Sequence, residues 1–300
     1  MIYKTRYKDR PAVAVENEIL RALFLPQDGA KLVSLYSLAE GRELAAVKSG
    51  DEYKVLTYDG SYVDAECSAF DDMFPTIDPY TPQDGLYRGV TYPDHGESCR
   101  IPFEVSIEGD AVLFTAHSNR FAVAYEKRVS FTEDGALSLA YRFVNEADEA
   151  FPFVFAAHIM LQGEDGMRLI TPFAADAPKE MMFAPAGVTL ADVPHDRLMG
   201  FLPGEGAAYK FYYLEPMAEG AFSLQYADGS SLSFAFDREK LPYLGVWLNN
   251  GEFQGIYNVA PEPCSAPFDA PDKAAKRGYG TEIPPRGEYA VTMIITRKMR

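Results

Sequence analysis

The sequence predicts an all-β protein built as one large antiparallel β-sandwich, and three observations lead there. Short runs rich in Val, Phe, Tyr and Ile recur along the whole chain, with turn residues between most of them. Helical periodicity is scarce and confined to short stretches. The 20 Phe and 19 Tyr suit pleated faces that bury bulky rings.

Two hairpins carry the clearest signals. Residues 123–131 and 136–144 flank a Thr-Glu-Asp-Gly turn, and residues 221–226 and 231–236 flank an Asp228-Gly229 turn. Further strands are expected at 19–25, 30–35, 103–107, 111–116, 151–156, 210–214, 244–248 and 289–296. Short helical turns are expected at 68–73 and 272–277, too short to carry a helical domain. The Pro-rich, ring-bearing stretches 73–93 and 260–271 read as ordered loops laid across a sheet. No repeat or flexible linker divides the 300 residues, so 1–300 is expected to form a single domain with less than about 15% helix.

Charge narrows the partners. The chain carries 28 Lys and Arg against 44 Asp and Glu, a net −16. A phosphate backbone or anionic bilayer would be repelled, so neither nucleic acid nor a membrane is expected as a partner. The opening MIYKTRYKDR lacks the apolar centre of a secretory signal, and no apolar run approaches the length of a membrane span. Cys67, Cys99 and Cys264 are odd in number, scattered and free of any CxxC pair. They read as small buried residues of a cytoplasmic protein rather than a disulfide framework or zinc site.

The candidate chemistry rests on few residues. Of four histidines, His117 and His195 stand in polar settings and read as ordinary structural residues. His158 follows the apolar run FPFVFAA, so its strand is buried and its imidazole needs either a partner or a purpose. His95, in YPDHGESCR, sits at a strand mouth where it either reaches a ligand or caps a turn. Glu262 stands between Pro261 and Pro263, rigidly held after an apolar strand, and is a general-base candidate unless it is a surface residue of a stiff loop. Asp71 and Asp72 either bind hydroxyls or cap a turn, and Trp247, the sole tryptophan, suits either a sugar face or the core. HxH, HExxH, GxSxG, GxGxxG and Walker-type patterns are all missing. One His and one Glu in apolar contexts leave acid–base chemistry on a neutral ligand, with no metal and no cofactor.

Five segments, in order, resemble the aldose 1-epimerase family: LPQDGAKLVSLYSLAEGREL; DMFPTIDPY with PDHGESCRIPFEV; FPFVFAAHIMLQ; GVWLNNGEFQGIYNVAPEPCSAPFDAP; and IPPRGEYAVTMIIT. The resemblance spans nearly the whole chain and implies the galactose mutarotase-like supersandwich. It implies interconversion of the α and β anomers of a free aldose. Glu262 would take the proton of the C1 hydroxyl, while His158 protonates the ring oxygen and the pyranose opens. His95, Arg100, Asp72 and Trp247 would bind the sugar, in a monomer or homodimer. Two departures stand out. Thr76-Ile77-Asp78 follows Phe74-Pro75 where many members carry Asn-Arg, and Cys99 stands where an arginine often follows His-Gly, with Arg100 one place later. Asp196 and Asp237 are the candidates for the family's additional acidic sugar ligand. The alternatives are a non-catalytic carbohydrate-binding protein on the same scaffold and another sugar isomerase or lyase using the same His and Glu.

Overall fold

The computed structural model describes residues 1–200 and 205–300. In chain order the first half holds β1 (Ile2–Tyr7), β2 (Arg10–Glu16), β3 (Leu20–Leu25), β4 (Lys31–Ser37), β5 (Arg42–Glu43), β6 (Phe70–Met73), β7 (Glu104–Glu108), β8 (Ala111–His117), β9 (Val123–Phe131), β10 (Leu137–Asn145) and β11 (Phe151–Phe153). There follow β12 (Ala156–Ile159), β13 (Leu161–Gln162), β14 (Arg168–Ile170), β15 (Lys179–Phe183), α1 (His195–Met199), β16 (Ala208–Tyr213), β17 (Ala221–Gln225), β18 (Ser231–Phe236), β19 (Tyr243–Asn250), β20 (Tyr257–Cys264), α2 (Pro271–Lys276), β21 (Thr281–Ile283) and β22 (Glu288–Lys298). Strand accounts for 44% and helix for 5%.

Pairing is antiparallel throughout. A 12-stranded sheet runs β1-β2-β3-β4-β6-β12-β20-β19-β16-β15 with β5 and β13 attached, and an 8-stranded sheet runs β14-β17-β18-β22-β10-β9-β8-β7. The main core lies between them, where Phe24 meets Phe114, Phe70 meets Phe234 and Phe74 stacks on Phe143 at 4.1 Å.

The two sheets differ in what covers their outer faces. Strands β9, β10 and β22 alternate buried with more exposed residues, as expected when only one face meets the core. Strands β6, β12 and β20 are buried at nearly every position. Their second face is covered by loop residues: Leu56, Tyr62, Ala65, Ile77 and Cys99 form a smaller core with Met73, Ala156, Tyr212 and Cys264. Function-bearing residues therefore sit between the sheet and its loops.

Both predicted hairpins form, as β9–β10 and β17–β18. The short helix at 272–277 is present as α2. Two expectations fail. Residues 68–73 give strand β6 instead of a helical turn, because Phe70–Met73 pairs residue by residue with β12. Glu262 lies within β20, where a loop was expected. Pro261 and Pro263 read as loop formers because they cannot donate to a sheet ladder. Here β12 and β20 pair only at Ala156–Cys264, and pairing resumes with β13 at Leu161–Val259, so the prolines occupy the stretch where the ladder lapses.

Candidate active site

Register alone assembles the site. Residues directly opposite each other on paired strands share a face, and the face repeats every second residue. Continuing the Ala156–Cys264 register by two residues sets His158 beside Glu262. Asp71 pairs with His158, Gly245 with Glu262, and Gly245 in turn with Tyr212. One row thus reads Asp71, His158, Glu262, Gly245, Tyr212 across five strands. The next row on the same face carries Ala260, Trp247, Lys210 and Phe183, and the third carries Asn258 and Asn249. A cavity of about 550 Å³ lies over these rows, lined among others by His95, His158, Lys210, Trp247, Glu262 and Asp269.

Gly245 makes the first row possible. A Cβ there would fall 2.7 Å from Cε1 of Tyr212, so only glycine leaves room for that ring. Tyr212 can then donate to Asp269 Oδ1 at 2.8 Å.

Glu262 is completely buried. Its Oε1 is 3.4 Å from His158 Nε2 and its Oε2 is 3.3 Å from Lys210 Nζ, yet neither oxygen accepts a hydrogen bond from the described residues. Lys210 bonds instead to Asp269 at 2.8 Å. Burial pushes the Glu262 carboxyl above the usual range, while the charge of Lys210 pulls it back. Burial also holds His158 well below the ordinary imidazole value, and the charges of His95, Lys210 and Lys31 push the same way. Two groups that normally titrate apart are driven toward one another. Asp269, although buried, is held below the ordinary carboxyl value by the charge of Lys210 and by hydrogen bonds from Lys210 and Tyr212.

His95 comes from the loop above the sheet. Its ring stacks on Tyr62 at 3.7 Å and meets His158 edge-on at 6.2 Å. Its Nδ1 is engaged by Asp94 at 2.8 Å, leaving Nε2 for a ligand. Tyr62 is fixed from below, donating to Asp71 at 2.7 Å, and Asp71 also bonds Lys31 at 2.8 Å. The following Gly96 packs so tightly on Phe74 that a Cβ would lie 2.4 Å from its carbonyl oxygen.

The structure brings His95, His158, Trp247 and Glu262 to one cavity, but not Arg100 or Asp72. The Arg100 guanidinium is spent on backbone carbonyls, with Nη1 donating to Thr57, Tyr58 and Gly60 and Nε donating to Asp94 at 3.0 Å. It clamps one loop to another. Asp72 points to the opposite face from Asp71, where it bonds Lys127 of the other sheet at 2.6 Å within the sandwich. Asp196 is an exposed partner of Arg168, and Asp237 lies in a separate shallow depression lined by the 8-stranded sheet. Reasoning from sequence missed Lys210, Asp269 and Tyr62. Lys210 was legible in one respect: a lysine inside the apolar strand AYKFYY sits on a face that ought to be buried. The three cysteines are free thiols, Cys99 and Cys264 buried and Cys67 partly so. Among the described residues no helix is long and apolar enough to cross a membrane.

The sequence matches no protein-family model and no curated protein. Solved structures do match. A galactose mutarotase-like protein from Lactobacillus casei superimposes with a TM-score of 0.62 at 20% identity, over 96% of this chain and 100% of its own. Slr1438 from Synechocystis sp. PCC 6803 gives 0.71 at 14% identity, covering 99% and 100%. The aldose epimerase homologue from C. elegans gives 0.62 at 13% identity, covering 94% and 96%. The fold is therefore galactose mutarotase-like, a large antiparallel β-sandwich.

Proposed function

We propose that this protein is an aldose 1-epimerase that opens and recloses the ring of a free aldose, with Glu262 as base and His158 as acid. The observation that carries the reading is the pair itself: a fully buried carboxylate 3.4 Å from a buried imidazole, at the floor of a cavity. Ring opening moves two protons, one off the anomeric hydroxyl and one onto the ring oxygen. The pair is competent when it holds one proton, as Glu262 carboxylate with His158 imidazolium. After opening, Glu262 holds the proton and His158 is neutral. Reclosure on the other face of C1 reverses both transfers and restores the starting state.

The opposed shifts of the two groups support this cycle. Burial raises Glu262 and lowers His158, so the two shifts narrow the gap that normally separates a carboxyl from an imidazole and favour a proton moving in either direction. Each positioned transfer contributes about 10²–10⁴-fold. Lys210 keeps the base from being neutralised by its own burial, and Asp269 and Tyr212 hold Lys210 in place. His95 faces the ligand and fixes the sugar beside His158. The clustering of two carboxylates around Lys210 gives a neutral sugar hydroxyl an array of donors and acceptors.

Polarimetry or NMR exchange on freshly dissolved α-glucose and α-galactose tests the reading. Catalysed approach to anomeric equilibrium is expected with at least one aldose. Sugar binding without any acceleration overturns it in favour of a binding protein on the same scaffold.

A further inference from the structure

Beyond the row that holds Glu262, the cavity continues along the strands. Trp247 lies opposite Ala260 and Asn249 opposite Asn258, both on the face that Glu262 occupies. Asn258 lies four positions from Glu262 along β20, so the lined face runs about 13 Å. The cavity volume of about 550 Å³ lies well inside the range of about 300–1,000 Å³ found for small-molecule sites. A single pyranose over Glu262 and His158 leaves the far part of this space unfilled.

The far part has its own character. Trp247, Phe183 and Phe253 form a ring cluster, with centroids 5.3 Å apart for Trp247 and Phe253 and 5.5 Å for Phe183 and Phe253. Phe183 and Phe253 are each 36% exposed, unlike the fully buried rings of the core. Beside them Asn258 is 2% exposed, and its Oδ1 has no hydrogen-bond partner among the described residues. Gln254, in the turn that carries Phe253, reaches across to donate to the Val63 carbonyl and bridges the mouth. Aromatic faces with an unmatched amide beside them are the surface a sugar ring uses, since its C–H face is apolar and its rim is all hydroxyl.

We infer that the cluster of Trp247, Phe183 and Phe253 with Asn258 is a second sugar subsite, and that the substrate is the reducing end of a disaccharide or longer saccharide. This rests on the proposed epimerase reading and adds the substrate class to it. The reducing ring sits over Glu262 and His158, and the glycosidically linked ring stacks on the aromatic cluster. Phosphorylated sugars are not favoured there, because Asp64, Asp78 and Asp269 share the lining with Lys210 and Lys273.

Trp247 is the only tryptophan, so its fluorescence reports the subsite directly. The full chain with Glu262→Gln, which slows turnover, is titrated with glucose, galactose, maltose, cellobiose and lactose. At least one disaccharide is expected to shift the emission and bind about tenfold more tightly than its reducing monosaccharide, a ratio equivalent to about 1.4 kcal/mol. Phe253→Ala and Phe183→Ala should bring that ratio back toward one, and both sites are exposed enough for the variants to fold. Equal or weaker binding of every disaccharide overturns the inference, as does a ratio that both variants leave intact. Wild-type NMR exchange separates the two claims. Disaccharide binding without anomer exchange defeats the epimerase reading alone, while exchange on monosaccharides with no disaccharide preference defeats the subsite alone. Absence of any sugar binding defeats both.

Discussion

Replacing Lys210 by Met removes the cation that faces Glu262 while keeping the length of the side chain. At 3.3 Å and an effective dielectric constant of about 20, the Lys210–Glu262 attraction is about 5 kcal/mol, a ceiling before relaxation. One pH unit corresponds to about 1.36 kcal/mol, so the acid limb of the pH–rate profile can rise by at most about 3.7 units. A rise of at least about one unit is expected. The other groups around the Glu262 carboxyl stay in place: His158 from β12, Asp269 from the loop after β20, His95 from above, and Tyr212 and Cys264. Stability changes as well. Asp269 is held below its ordinary value in the folded protein, so its contribution is present at neutral pH and disappears as pH falls through the folded value. Removing one partner of a buried pair costs about 3–5 kcal/mol. The gap between wild type and Lys210→Met in urea denaturation should therefore be wide at pH 7 and close in acid. Lys210→Arg retains the charge and should restore the acid limb. An acid limb that stays put in Lys210→Met, with the base still Glu262, refutes this account of Lys210.

Other outcomes follow from the same geometry. Glu262→Gln should still bind sugar while turnover falls by at least about 10²-fold, measured by NMR exchange beside a binding titration. The wild-type pH profile should be a narrow bell. Its acid limb is displaced upward from the ordinary carboxyl value by Glu262, and its basic limb is displaced downward from the ordinary imidazole value by His158. The basic limb is lost in His158→Asn. Gly245→Ala should drive Tyr212 off Asp269, lowering stability by about 1–3 kcal/mol and activity with it, with a melting curve and a rate as the two readouts.

The fold was legible because hairpin turns and alternating strands are local signals. Val123–Phe131 with its partner, and Ser231–Phe236 with its partner, needed nothing beyond their own residues. Strands β1, β14 and β15 escaped notice because they are polar or short, and their pairing to neighbours makes them strands. The site was half legible. His158 and Glu262 stood out against apolar surroundings, and His95 against a turn. Arg100 was suggested by the arginine that often follows His-Gly in the resembled family, and Asp72 by its place beside Asp71 ahead of Phe74-Pro75. A single residue of register sends Asp71 to the cavity face and Asp72 to the interior. Lys210 and Asp269 meet only because β16, paired through β19 to β20, delivers one of them, and the loop after β20 returns the other. Asp269 is pinned there, its carbonyl accepting from Ile77 at 2.9 Å and from Asp78 at 2.6 Å. That contact also gives Thr76-Ile77-Asp78, the segment that departs from the aldose 1-epimerase pattern, a structural part in holding the site.

The way Glu262 is buried bears on whether the protein catalyses or only binds. A carboxylate removed from water loses several kcal/mol of solvation, and here the charge of Lys210 at 3.3 Å offsets part of that loss while neither oxygen accepts a hydrogen bond from the described residues. His158 adds a second liability, since its Nδ1 is buried without a partner. An ion pair of this kind is commonly no more stabilising than well-packed apolar residues of the same volume, so stability does not account for it. Recognition of hydroxyls does not require it either, because a neutral amide such as Asn258, whose Oδ1 has no partner among the described residues, lines the same cavity and can accept a hydroxyl with less desolvation. What a buried carboxylate beside an imidazole offers, and an amide cannot, is a place for a proton to move. On the proposed epimerase reading, an anomeric hydroxyl and a ring oxygen would meet these two groups from the cavity side, and the contacts that bind the sugar would be the ones that carry its protons.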